Sequence, residues 1–235
     1  MNNQDRIKIT FLGATETVTG SKYFIETNKK KILVDCGLFQ GLKELRLRNW
    51  DKLPINVANI DFVLLTHGHL DHVGYLPLLV KQGFKGPIYA TSPTIEIAKL
   101  ILLDSAKIQE EDAEHANHYN YSRHKPAKPL YNTKDAEAVF PLFCSVPVDH
   151  SFDIDPNTSF TFRYNGHIIG ACFIELKLDG KLIVFSGDIG RAEDPLLRQP
   201  EKPELADVII IESTYGNRIH PFNSKQLLAT EINKA

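Results

Sequence analysis

A layered α/β fold is predicted by three observations. Short apolar, β-rich runs recur along the chain, helix-like stretches separate them, and no low-complexity segment or short repeat interrupts the alternation. The 235 residues are 43% hydrophobic and 24% charged, which suffices for one domain with a substantial core. Asp61-Phe62-Val63-Leu64-Leu65 reads as a buried strand. Phe160-Thr161-Phe162-Arg163-Tyr164 alternates apolar and polar side chains, as a half-buried strand does, and turns out through Asn165-Gly166-His167. Lys181-Leu182-Ile183-Val184-Phe185 is a further β-rich run, ended by Ser186-Gly187-Asp188, and Val208-Ile209-Ile210 is another. Val73 to Gln82 reads as an apolar helix stopped by Gly83. Pro93 to Glu114 reads as a long amphipathic helix with Ile97, Leu100, Ile101 and Ile108 toward the core and Glu110, Glu111 and Asp112 in solvent.

Composition bounds the setting. No run of roughly eighteen apolar residues occurs, and the first residues, Met1-Asn2-Asn3-Gln4-Asp5-Arg6, lack the apolar centre of a signal peptide, so a cytoplasmic protein without a membrane partner is expected. Cys36, Cys144 and Cys172 are an odd set without Cys-x-x-Cys spacing and read as reduced core residues. A net charge of −2 argues against broad, nonspecific adhesion to nucleic acid, although a cleft can be locally positive. Arg123, His124, Lys125 and Lys128 read first as a solvated loop, with contact to a phosphate backbone as the functional alternative. His115 and His118 carry no ligand spacing to another histidine or carboxylate and read as surface residues.

The densest chemistry lies in Thr66-His67-Gly68-His69-Leu70-Asp71-His72, directly after the first buried strand. Four metal-ligating side chains within six residues must share cations or carry a large desolvation cost. Side chains two apart on an extended turn can converge on one cation, so His67 and His69 suit one ion while Asp71 and His72 suit a neighbour. The alternatives are a solvated histidine-rich loop or a structural zinc site, although structural sites favour cysteine and none lies nearby. His167 and Asp188 stand where loops leave extended segments and are candidate distant ligands.

A His-x-His-x-Asp-His series after a buried strand resembles the signature of the metallo-β-lactamase superfamily. The resemblance implies an αββα sandwich, incomplete here at its C-terminus, and hydrolysis through two zinc ions. One zinc would be held by His67, His69 and His167 with Asp188, the other by Asp71, His72 and the shared Asp188, with Asp71 accepting a proton from the attacking water. Ile211-Glu212-Ser213-Thr214-Tyr215-Gly216-Asn217-Arg218 resembles the β-CASP branch of RNA-processing and DNA-repair nucleases. Phe11-Leu12-Gly13-Ala14, Val18-Thr19-Gly20-Ser21 and Leu33-Val34-Asp35-Cys36-Gly37 resemble its RNA-processing side. On that resemblance Asp35 buttresses the metal-binding loop and Glu212 orients a histidine in a later segment, and both join Asp71 as candidate catalytic residues. Residues 1–218 would form the metallo-β-lactamase-like domain, and 219–235, with His220-Pro221 leading into a helix over Ser224 to Lys234, would begin a β-CASP domain. The implied partner is an RNA substrate, with a homodimer as the candidate assembly. A thioester, lactone or β-lactam hydrolase of the same superfamily, or a non-catalytic RNA-processing scaffold, are the alternatives.

Overall fold

Alternate residues of the central strands go to opposite faces, and in this chain both faces are buried. A computed structural model describes residues 6–194, 196–218 and 225–234, without the side chains of 225–228. Six strands form the first sheet in sequence order: β1 (Lys8–Phe11), β2 (Tyr23–Glu26), β3 (Lys31–Val34), β4 (Phe62–Leu64), β5 (Ile88–Ala90) and β6 (Phe143–Ser145). The second sheet holds β7 (Phe152–Asp155), β8 (Thr158–Tyr164), β9 (Cys172–Leu178), β10 (Lys181–Phe185) and β11 (Val208–Ile210), with β11 and β7 at its edges. Ile32, Val34, Phe62 and Leu64 meet Phe160, Phe162, Ile174, Leu176 and Phe185 between the sheets. Leu33, Val63 and Leu65 point the other way, into a second core.

That second core is closed by helices α2 (Leu70–Val73), α3 (Leu76–Lys81), α4 (Ser92–His118) and α5 (Thr133–Glu137), chiefly through Leu76 and Leu79 of α3 and the sheet-facing side of α4, while α1 (Lys43–Leu47) buries no residue. The layers therefore run helix, sheet, sheet, as in an αββα sandwich. After β11 in the chain the described residues include one helix, α6 (Lys225–Lys234), whose described side chains are exposed. It falls in the segment expected to be helical, whereas His220-Pro221 lie outside the described residues.

Two helical expectations are corrected. The single helix over Val73 to Gln82 is instead α2 and α3, because the Tyr75 N–H donates to the Cys36 carbonyl at 2.8 Å rather than continuing the ladder of α2. Gly83, at φ +109°, does follow the end of α3. In α4, Leu100 and Ile108 are 69% and 50% exposed, and the buried stripe is Ile95, Ala98, Leu102, Ala106, Ala113 and Ala116. Small alanines let the helix lie close to its neighbours, which displaces the larger side chains to its flanks. Glu110 is also half-buried and accepts from the Thr133 hydroxyl. Cys36 and Cys172 are buried, Cys144 is half-buried, and all three are free.

The strand directions place one rim. β3 and β4 are parallel, β9 is antiparallel to both β8 and β10, and β11 is parallel to β10. At that rim the Cys172 N–H donates to the Thr66 carbonyl at 2.9 Å and joins the two sheets. Asp35, His67, His167, Asp188 and Glu212 all follow strands that end there.

Candidate metal centre

β4 delivers the loop Thr66–His69, and α2 begins immediately after it with His69 in the extended cap position. His67 is fully buried. Its Nε2 lies 3.1 Å from His69 Nδ1, which lies 3.1 Å from His167 Nε2. Asp188 Oδ2 is 3.7 Å from His67 Nε2 and 3.4 Å from His167 Nε2. One donor atom from each of these four residues falls within 4.8 Å of all the others. A tetrahedral zinc with bonds of about 2.0 to 2.1 Å has donor–donor edges of about 3.4 Å, so three imidazoles and one carboxylate at these separations fit such an ion.

The other carboxylate oxygen, Asp188 Oδ1, lies 3.2 Å from His72 Nε2, and Asp71 Oδ2 lies 3.8 Å from the same nitrogen. Asp71 and His72 are thereby brought beside the four-residue cluster, with Asp188 between the two groups. His72 Nδ1 is paired with Asp35 Oδ2 at 2.8 Å. Asp35 is fully buried and also accepts from the Thr66 N–H at 2.8 Å and the Thr66 hydroxyl. It touches the ring and the loop rather than the open cleft. Such a carboxylate behind a ligating imidazole fixes ring orientation. Its backbone has φ +55°, an unusual conformation for a residue with a Cβ.

Charges follow from this packing. Burial, reinforced by repulsion from His72, His167 and His69, holds His67 well below the ordinary imidazole range. Burial likewise lowers His167. For His72 burial acts in the same direction, but Asp35 and Asp188 outweigh it and push the value up to about 10. Burial would raise Asp188, yet the hydrogen bond from His72 and the surrounding imidazoles hold it below the usual carboxylate range.

Glu212 stands at a different station. Its carboxylate accepts the N–H of Ile189, next to Asp188, and its own N–H donates to Ser186 Oγ at 3.1 Å. It therefore braces the loop that carries Asp188. Two residues without an assigned role in the sequence share this work. Asn165 donates from Nδ2 to the carbonyls of Ser186 and Asp188 and accepts the His167 N–H, tying both distant candidates together. Thr66 places its hydroxyl on Asp35 and 3.1 Å from His67 Nδ1. A polar residue at a strand end, beside a candidate ligand, was their only sequence signal.

A cleft of about 760 Å³ opens from the cluster and is lined by His69, Asp71, His167 and Asp188 together with Arg191 and Tyr215. Residues 17–209 match the family model of the metallo-beta-lactamase superfamily. The chain belongs to this superfamily. Within it, the chain is similar to Ribonuclease TTHA0252 of Thermus thermophilus, 34% identical over 215 residues that make up 91% of this chain and 45% of that protein. It is 33% identical to Cleavage and polyadenylation specificity factor 73 of Drosophila melanogaster over 222 residues, 92% of this chain and 30% of that one. Transcription termination factor FttA of Methanocaldococcus jannaschii is 29% identical over 217 residues, 89% of this chain and 32% of that one. The chain thus spans less than half the length of these curated relatives.

Proposed function

We propose that this metallo-β-lactamase chain carries the hydrolytic centre of an RNA phosphodiesterase. The observation that supports it best is Asp188, whose two oxygens face two different donor groups, His67 and His167 on one side and His72 on the other. His67, His69, His167 and Asp188 would hold one zinc, and Asp71, His72 and Asp188 a second. Zinc bound there supplies a water acidified toward neutrality and positive charge beside the phosphoryl oxygens. Asp71, whose side chain remains 17% exposed at the cleft, takes the proton from the attacking water. Asp35 keeps the His72 ring turned toward Asp188, and Glu212 holds the loop of Asp188 in place through Ile189. Both are positioning residues.

The names of the ribonuclease and of the cleavage factor among the relatives support RNA as the substrate class. The proposal also takes residues 1–218 as the catalytic domain, 219–235 as the beginning of a further one, and the cytoplasm as the place of action. An end-labelled single-stranded RNA incubated with this chain and zinc should be cut, and the His69→Ala variant should not cut it. Cleavage that persists undiminished in that variant, or that survives removal of zinc by a chelator, would refute the assignment.

A further inference from the structure

A groove of about 820 Å³ lies outside the metal centre, between the segment 38–50 and the second half of α4 with the loop that follows it. Leu70, the residue after His69, is part of its lining. Its charged lining is Lys43, Arg46 and Lys128 against a single acid, Asp112, although the whole chain carries a net charge of −2. Aromatic rings accompany those cations: Trp50 and Tyr121, both lining the groove, are 58% and 63% exposed. The Arg48 guanidinium already sits over the Phe39 ring, 4.3 Å from its centroid.

Both walls are fixed by the same device. Asn49 accepts the Phe39 N–H at 2.9 Å and donates to the Phe39 carbonyl at 2.8 Å. Asn117 accepts the Ala127 N–H at 2.7 Å and donates to the Ala127 carbonyl at 3.0 Å. Gln109 accepts the Leu130 N–H, so the stretch bearing Lys128 is held on α4 at two points. A basic groove with exposed aromatic faces on pinned walls matches what a single-stranded nucleic acid requires, since cations follow its phosphates and rings stack its unpaired bases. A packing surface for a second apolar partner would gain nothing from an excess of cations along its lining.

We propose that this groove binds single-stranded RNA as a track separate from the metal centre, with Lys43, Arg46 and Lys128 on the phosphates and Trp50 and Tyr121 on the bases. The inference rests on RNA being the substrate class proposed above. It gives a function to the basic stretch that precedes Pro129, which the metal centre leaves unused. Lys128 lines the groove, and Arg123 and Lys125 are exposed on the same loop.

The chain has one tryptophan, so Trp50 fluorescence reports the groove alone. Titrating the full chain with a phosphorothioate oligouridylate should quench Trp50, with an affinity that falls as salt rises. In the Lys43→Ala, Arg46→Ala, Lys128→Ala triple variant the slope of log affinity against log salt should shrink by about two, at about 0.7 for each phosphate of a single strand that is no longer neutralised. Tyr121→Leu should weaken binding roughly fivefold or more. The His69→Ala variant should lose cleavage and keep the quench. Binding without quenching, or an unchanged salt slope in the triple variant, overturns the groove assignment even if RNA is cut. A Trp50 signal that changes with protein concentration and not with the oligonucleotide shows that a second copy occupies the groove, which also overturns it. If the quench and salt response are as expected and no RNA is cut, the groove proposal holds and the hydrolytic reading fails.

Discussion

The two sides of Asp188 are built differently. On its Oδ2 side, imidazoles from two loops, His67 with His69 and His167 across from them, face one another, and burial keeps His67 and His167 low. On its Oδ1 side a single imidazole, His72, stands between Asp188 and Asp35 and is pushed up to about 10. Burial on the first side favours the neutral form of His67 and His167, whereas the carboxylates on the second favour the protonated form of His72. Under the proposed function a cation entering the first side displaces little, whereas one entering the second takes the place of the His72 proton. The backing differs too. Asp35 stands directly behind His72, while among the described residues it is the Thr66 hydroxyl that faces His67 Nδ1.

The strongest way to break this contrast is to remove what the sides share. Asp188→Ala should lower zinc content to less than one ion per chain by elemental analysis and cut RNA cleavage more than ~100-fold, beyond the range usual for outer partners of a ligand. Two zinc ions retained in that variant would show that Asp188 bridges nothing. Away from Asp188, the buried Lys22 ammonium donates to the carbonyls of Gly20 and Gly37, and burial lowers its pKa from 10.5 to about 8. Below pH 8 the folded and unfolded chains both hold that proton. Between pH 8 and 10.5 only the unfolded chain keeps it, so stability rises with pH across that window. Relative to Lys22→Met, the wild-type chain should gain roughly 3 kcal/mol there, read by denaturant unfolding at both ends of the window. A constant difference would mean that Lys22 does not titrate in the fold.

Asp35→Asn isolates the second side. It should weaken zinc binding there about 10- to 100-fold and leave the first side unchanged, so a zinc titration should resolve one strong and one weakened step. Equal loss at both steps would merge the two sides into one unit. The floor is set by Lys99→Ala, which removes an exposed pair with Glu96 on α4. That change should alter stability by less than about 0.5 kcal/mol and zinc content not at all, and a larger effect would tie α4 to the centre.

Legibility in the sequence followed distance along the chain. His67, His69, Asp71 and His72 announce themselves because four donors crowd one short loop, and β8, β10 and β11 were readable from alternation or β-rich composition. The facing of α4 was not readable. Leu100 and Ile108 looked like core and are exposed, because the space beneath the helix admits alanines. Nor could the break between α2 and α3 be read, since it depends on the Cys36 carbonyl capturing the Tyr75 N–H from another strand end. That Glu212 holds the N–H of Ile189 could not be read either, because the contact joins the ends of two different strands.

By itself the sequence determined the strands that could pair, the donor types and the loop where most of them sit, because periodicity and ligand chemistry are local properties. Only the tertiary structure decided that His167 and Asp188 meet that loop, that Asp188 turns one oxygen to each side, and that Asp35 rather than solvent stands behind His72. The reason is geometric. Those contacts join separate strand ends, and they exist only once two sheets have stacked with their rims together.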